Sequence, residues 1–361
     1  MKKIITLAVA TIMALFSTSA QTTQKITATK ANEYGIIYSL PTTVIDITVE
    51  TETTIKKPGE FYKYSKKYLN IANPIDKEDI TINVKSVTAY SRGIANANER
   101  YVVTFKPGTS PFVIINEDNI PLAINTENTL QAEEIILPTA VAAKPTPLET
   151  PAAQQVISEE MLQSRSSAKK AELAAAQIYS LRQYRSELLT GQSESMPPDG
   201  AALKLVLENI SEQEAALMAM FVGTTQTFTT VKTFTITPDE ETENSIVARI
   251  SATDGLVNAD DLSGEPLYMT LKVIAEGEMP VDEKGITVPF PKNGFAYRVP
   301  GKVQLTLSID DNIMLDKQFS TSQFGITYGL NPNSFTDKKA PVYLIFDPIT
   351  GAAAEIGAAE K

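Results

Sequence analysis

Three side chains are missing altogether from this sequence: cysteine, histidine and tryptophan. Without histidine the chain cannot build a Ser-His-Asp or Cys-His triad, nor a zinc site on imidazole. Without cysteine it has no thiol nucleophile, no thiolate metal site, no disulfide and no cysteine for a bacterial lipid anchor. Without tryptophan it lacks the ring most used to stack on sugars, although 13 tyrosines can take that part. No Gly-rich phosphate loop, Walker lysine or dinucleotide fingerprint is present, and no internal repeat relates the two ends. No cofactor is expected. What survives is carboxylate-pair chemistry, Ser-Lys chemistry or oxygen-ligated calcium. These absences favour a binding or structural protein over a catalyst.

Positive charge is scarce as well, the formal net charge being −11. An acidic chain without a long basic run is a poor partner for nucleic acid or an anionic membrane surface. Lys2 and Lys3, the apolar run Ile4–Phe16 and the small residues Ser17–Ala20 read as a signal peptide cleaved between Ala20 and Gln21. The run is short for a membrane span, and no later stretch approaches one. Export to the periplasm or outer surface is the expectation. Removing two lysines with the signal takes the charge from −11 to −13.

The chain is organised around a helical hairpin predicted for residues 158–223. Ala171, Ala174, Ile178, Leu181 and Leu188 fall on one helical face, and Leu203, Val206, Leu207, Ile210, Leu217 and Phe221 on another. Ser158 and Asp199 are the expected N-caps; Gly191 and Gly223 the expected stops. Arg185 interrupts the first stripe. It is either a guanidinium that grips an anion or a structural partner for an acid such as Glu208.

Around the hairpin the pattern is strand. Residues 21–135 are expected to form an N-terminal β domain, with Tyr34–Leu40 stopped by Pro41 and then Ile45, Ile47 and Val49 alternating with Asp46, Thr48 and Glu50. Asp79–Tyr90 and Glu99–Lys106 are expected to pair around a loop at Ser91–Asn98. One short helix interrupts this domain at Glu60–Leu69. Phe61, Tyr64, Tyr68 and Leu69 share its apolar face, and Lys63, Lys66 and Lys67 the opposite one. The lysines with Tyr62 are the first domain's candidate contact for a polyanion or glycan; the plainer alternative is an amphipathic helix with solvated lysines. Residues 136–157, rich in Pro and Ala, read as a linker that packs no core. Residues 224–361 carry seven or more short strands and are expected to form a β-sandwich. Asp254, Asn258, Asp260 and Asp261, and separately Asp310–Asn312, are possible calcium ligands, but neither run has EF-hand spacing and turn chemistry explains both. No metal is assigned. The fold class is therefore α+β, mostly antiparallel, with an αα-hairpin between two β parts.

Several stretches resemble a family of exported proteins from Bacteroides-type bacteria known only as a domain of unknown function. They are Tyr38-Ser39-Leu40-Pro41 leading into Val44–Glu50, Lys57-Pro58-Gly59-Glu60-Phe61, Leu188-Leu189-Thr190-Gly191, Met196-Pro197-Pro198-Asp199-Gly200 and Tyr297-Arg298-Val299-Pro300-Gly301. The resemblance implies export and the β–αα–β layout, and carries no activity, cofactor or catalytic residue. The leading functional expectation is a non-catalytic exported protein that holds an envelope protein or polymer. The alternatives are a carboxylate-dependent glycan hydrolase or lyase, and a carrier of a small apolar ligand.

Overall fold

A computed structural model describes residues 22–25, 35–104, 111–131, 135–281, 284–287, 294–337 and 340–359. The expected signal and its cleavage point at Ala20 and Gln21 lie outside them. Strand makes up 46% of the chain and helix 24%, and every pairing between named strands is antiparallel, so the fold is α+β with β dominant.

One strand, β2 (Ile36–Lys57), runs through all of it. It lies between β3 (Asp79–Thr104) and β6 (Thr224–Ile236), and β1 (Thr22–Lys25) closes the sheet on the far side of β3. Pro41 does not end the first strand. It sits at a register shift between Ser39 and Pro41, the kind of irregularity where a residue without an N–H is tolerated. Ser91–Asn98 is not a loop either, because Arg92 to Ala95 pair with Val44 to Pro41. Its polar composition hides a strand whose partner is far away in sequence.

A second sheet contains β7 (Thr242–Ser251), β8 (Gly255–Asn258), β9 (Gly264–Ala275), β10 (Phe295–Ile309) and β11 (Asn312–Leu330) in the order β11-β10-β9-β7-β8. A third combines β4 (Val113–Ile115) and β5 (Pro121–Ile124) with β12 (Val342–Phe346) and β13 (Ala353–Ala358). Two sheets thus draw strands from both ends of the chain. The sandwich expected within residues 224–361 is instead formed across the halves: Ile45, Ile47, Val49, Val87 and Ala89 pack on Leu267, Leu271, Val303, Leu305, Leu307 and Phe319. At the near end of β2 a second core joins Tyr38, Leu40 and Val103 to Phe295, Leu344 and Phe346. The Tyr38 ring stacks on Phe295 at 4.3 Å, and its hydroxyl accepts from the Ala296 amide at 2.8 Å.

The far end of β2 leads into the helices. Tyr62–Tyr64 form a 3-10 turn that continues as α1 (Ser65–Leu69). Within the expected linker, Pro151–Gln155 form α2, and Ala152, Ala153 and Val156 are buried, so its last third belongs to a core. Upstream, Thr229 of β6 donates its amide to the Val141 carbonyl at 3.0 Å, and Gln226 donates to the Lys144 carbonyl at 2.8 Å. That part of the segment lies along an edge strand and occupies some of its open hydrogen-bonding groups.

Ser158 caps a separate short helix, α3 (Glu159–Gln163), and the long helix α4 (Ser167–Thr190) starts only after Ser166 accepts from the Lys169 amide. The two serine caps break what the apolar spacing reads as one helix. Gly191 takes the left-handed conformation (φ 69°) that stops α4. Asp199 caps α5 (Gly200–Val222), its carboxylate accepting from the Ala202 amide at 2.8 Å. A last helix, α6 (Asn333–Thr336), brings Phe335 into the near-end core. The helical core holds Phe61, Ala153, Val156, Met161, Ala171, Ala174, Ile178, Leu217 and Phe221, and among the described residues none of its members comes from a strand. The hairpin therefore docks on the α1–α3 segments at the end of the long sheet, rather than between the sheets.

Candidate functional site

The mounting of α1 decides what its lysines can do. Lys57-Pro58-Gly59 turns the chain directly onto the last turn of α5. A Cβ on Gly59 would lie 2.3 Å from the Met220 carbonyl oxygen and 2.5 Å from that of Ala219. Only glycine lets the two backbones meet so closely. The Phe61 amide then donates to the Met220 carbonyl at 2.7 Å, the Ser65 hydroxyl to Phe221 O at 3.3 Å, and the Ile75 amide to Val222 O at 2.9 Å. These are carbonyls a helix C-terminus leaves without an internal partner. Residues 61–75 thus cap α5, and the Phe61 ring anchors the cap against Phe221, ring centroids 5.5 Å apart.

With Phe61 and Ser65 buried, Lys63, Lys66 and Lys67 point into solvent. Lys63 Nζ stands 5.6 Å over the Tyr62 ring and Lys67 Nζ 4.8 Å over Tyr68. Among the described residues none of the three lysines has a carboxylate within salt-bridge range. Tyr62 is half-buried beside these three exposed lysines.

Arg185 belongs to the same side of the helical unit, through residues the sequence alone does not single out. Tyr179 of α4 donates its hydroxyl to the Tyr68 carbonyl at 3.0 Å, and the Arg182 guanidinium lies 6.0 Å from the Tyr179 ring. Arg182 Nε and Arg185 Nη2 each reach Glu214, on Oε1 and Oε2, both at 2.6 Å. Arg185 is paired with Glu214 and not with Glu208, which sits 3.7 Å from Lys204. Arg185 faces Ser211 and Glu214. Two guanidinium groups on one carboxylate leave a formal surplus of one positive charge. Tyr179, Arg182 and Arg185 stand at three-residue steps on α4. That spacing is visible in the sequence, but its link to α1 is not.

The other candidates resolve into turn and strand chemistry. Gly255–Asn258 is strand β8, and Lys232 Nζ donates to Asn258 Oδ1 at 2.8 Å, placing an ammonium group where the cluster would need a cation. Asp254 accepts from the Ser251 and Thr253 hydroxyls, and Asp261 from the Ser263 amide. Asp310 is the left-handed residue (φ 48°) of the β10–β11 turn. Among the described residues no group of His, Cys, Asp and Glu is arranged to hold a metal ion. Of the carboxylates in sheets, Asp46 and Glu50 are the covered ones. They lie on one face of β2, their backbone positions about 13 Å apart at the usual strand rise. Arg92 Nε lies 2.6 Å from Asp46, and Lys85 Nζ 2.9 Å from Glu50.

No curated protein and no solved structure matches the chain. Among the described residues no helix is long and apolar enough to cross a membrane. A family model does match, over residues 34–354, and with most of its length covered the chain belongs to the family described as Domain of unknown function (DUF4831).

Proposed function

We propose that the protein is a non-catalytic, exported component of the bacterial envelope that holds an anionic polymer on the strip running from α1 to α4. The observation that carries this reading is the set of three exposed lysines without an acidic partner among the described residues, mounted beside Tyr62, Tyr68 and Tyr179 on a chain of net charge −11. In so acidic a molecule, a strip of cations left uncompensated is a local reversal of the field, and opposite charge is drawn to it. The tyrosine rings add flat apolar faces on which sugar rings can rest, while their polar edges stay wet. Rigid mounting on the α5 carbonyls keeps the strip preorganised, so little entropy is lost on binding. The leader with its Ala20–Gln21 junction supports export. The pairing of Asp46 and Glu50 with cations favours a structural part for these two carboxylates.

The test is binding of a polyuronic acid, with neutral dextran as control, measured by calorimetry at several salt concentrations. Affinity for the polyuronate is expected to fall as salt rises, and to drop at least tenfold in the triple variant Lys63→Gln, Lys66→Gln, Lys67→Gln. Equal binding to dextran, or a triple variant that binds like the parent, would remove the proposal.

A further inference from the structure

The chain has seven arginines, and six of them lie inside regular elements: Arg92 and Arg100 in β3, Arg182 and Arg185 in α4, Arg249 in β7 and Arg298 in β10. Arg165 is the exception. It stands in the short link 164–166 that joins α3 to α4. The residues on either side are extended, Ser164 at φ −72°, ψ 130° and Ser166 at φ −98°, ψ 119°. Arg165 itself is exposed, and among the described residues no carboxylate lies within salt-bridge range of it. The Ser166 amide donates to the Ser164 hydroxyl at 3.3 Å, a bond open to solvent. Three residues before the arginine, Leu162 is 70% exposed.

An endopeptidase grips its substrate as an extended segment, through main-chain hydrogen bonds and pockets for individual side chains. Backbone held in a helix or a sheet ladder is withheld from it until that element opens. The other six arginines are withheld in this way. We infer that the Arg165–Ser166 bond is a cleavage site for an arginine-specific endopeptidase, its acidic pocket taking the Arg165 guanidinium and an apolar subsite taking Leu162. Water supplies the cut: its oxygen adds to the Arg165 carbonyl carbon, the C–N bond breaks, and the Ser166 nitrogen leaves as an amine with one proton of the water. Seating Leu162 requires α3 to unwind. That helix has five residues, too few to persist alone, and buries only Met161.

The two products are expected to stay together. The long sheet takes β1, β2 and β3 from before the cut and β6 from after it, and the third sheet takes β4 and β5 from before and β12 and β13 from after. The inference does not rest on the lysine strip.

The test is digestion of the native protein with an arginine-specific cysteine endopeptidase, followed by intact-mass spectrometry and size exclusion. One cut is expected, between Arg165 and Ser166, giving two fragments that co-elute until denaturant is added. Arg165→Gln is expected to abolish the cut. Ser158→Ala, which removes the α3 cap, is expected to speed it about fivefold by raising the unwound population. Circular dichroism confirms that both variants are folded. A native protein that stays whole, a first cut at another arginine, or an Arg165→Gln variant still cut there would overturn the inference. So would a rate unmoved by Ser158→Ala, or fragments that part without denaturant.

Discussion

Asp46 and Glu50 stand on the face of β2 whose alternation assigns it to water, yet both are nearly covered. Their position as a central strand explains this, since β3 and β6 lay side chains over them from either side. Burial pushes the Asp46 carboxyl up, but the bond from Arg92, the Thr235 hydroxyl and the Arg92 charge outweigh it and hold the group below its ordinary value. Glu50 is held down chiefly by its bond to Lys85, with Ser86 adding to it. A carboxylate with a depressed folded-state pKa stabilises the fold above its unfolded value, and the stabilisation is lost as pH falls through the folded one. Unfolded Asp and Glu titrate near about 3.9 and 4.3, so the loss belongs to the window below about pH 4. Urea midpoints at pH 7 and pH 3 are expected to differ less in Asp46→Asn than in the parent. Equal pH dependence would mean the pair contributes nothing. Side chains of Arg92 and Lys85 remain 50% and 52% exposed, so solvent screening keeps the effect modest. Glu214 poses the reverse case. Neutralising it as Glu214→Gln frees both guanidinium groups and, if the strip binds polyanions, is expected to tighten polyuronate binding at low salt. Unchanged affinity would confine the strip to α1.

The helical elements show how far local chemistry reaches. Asp199, Gly191 and Gly223 mark boundaries that the structure keeps, because capping is settled within a few residues of backbone. Ser158 is also a cap, but of the short α3, and a second cap at Ser166 restarts the helix. Apolar spacing cannot reveal that break. At its other end α5 depends on a non-local cap, the 61–75 segment. Gly59→Ala forces a methyl against two carbonyl oxygens and is expected to lower the melting temperature and detach that cap. Amide exchange at Phe61 and Ile75, measured by NMR, is expected to accelerate selectively. If those amides stay protected the cap does not depend on Gly59. Removing the fully buried ring on which Phe61 packs, in Phe221→Ala, creates a cavity in the helical core, expected to cost about 3–5 kcal/mol by thermal or urea unfolding.

At the scale of the molecule, β2 organises everything. Its near end enters one core, its middle the inter-sheet core, and its far end carries the chain to the helical core. Neither half of the chain holds a complete sheet pair. Residues 21–135 expressed alone keep β2 and β3 but lose β6 and the opposing Leu267, Leu271, Val303, Leu305 and Leu307. That fragment is expected to be unfolded or aggregated, with poor amide dispersion by NMR, and to gain dispersion when residues 136–361 are co-expressed. A cooperative melt of the isolated fragment would contradict this.

The amino-acid sequence by itself determined what its neighbours along the chain can settle. Alternation marks the apolar row Ile45, Ile47 and Val49, cap residues mark the helix ends, and the missing imidazole, thiol and indole restrict the chemistry. The Lys63, Lys66 and Lys67 face was legible for the same reason, being one turn of amphipathic chain. Only the tertiary structure decided that Thr224–Ile236 lies beside Ile45–Lys57, that the sandwich joins the two halves, that Arg185 meets Glu214, and that Tyr179 links it to the lysines. A strand edge offers the same N–H and C=O groups to any partner, and a helix stripe does not state its register. Such choices are made by the burial of distant surfaces against each other, which no short window of residues records.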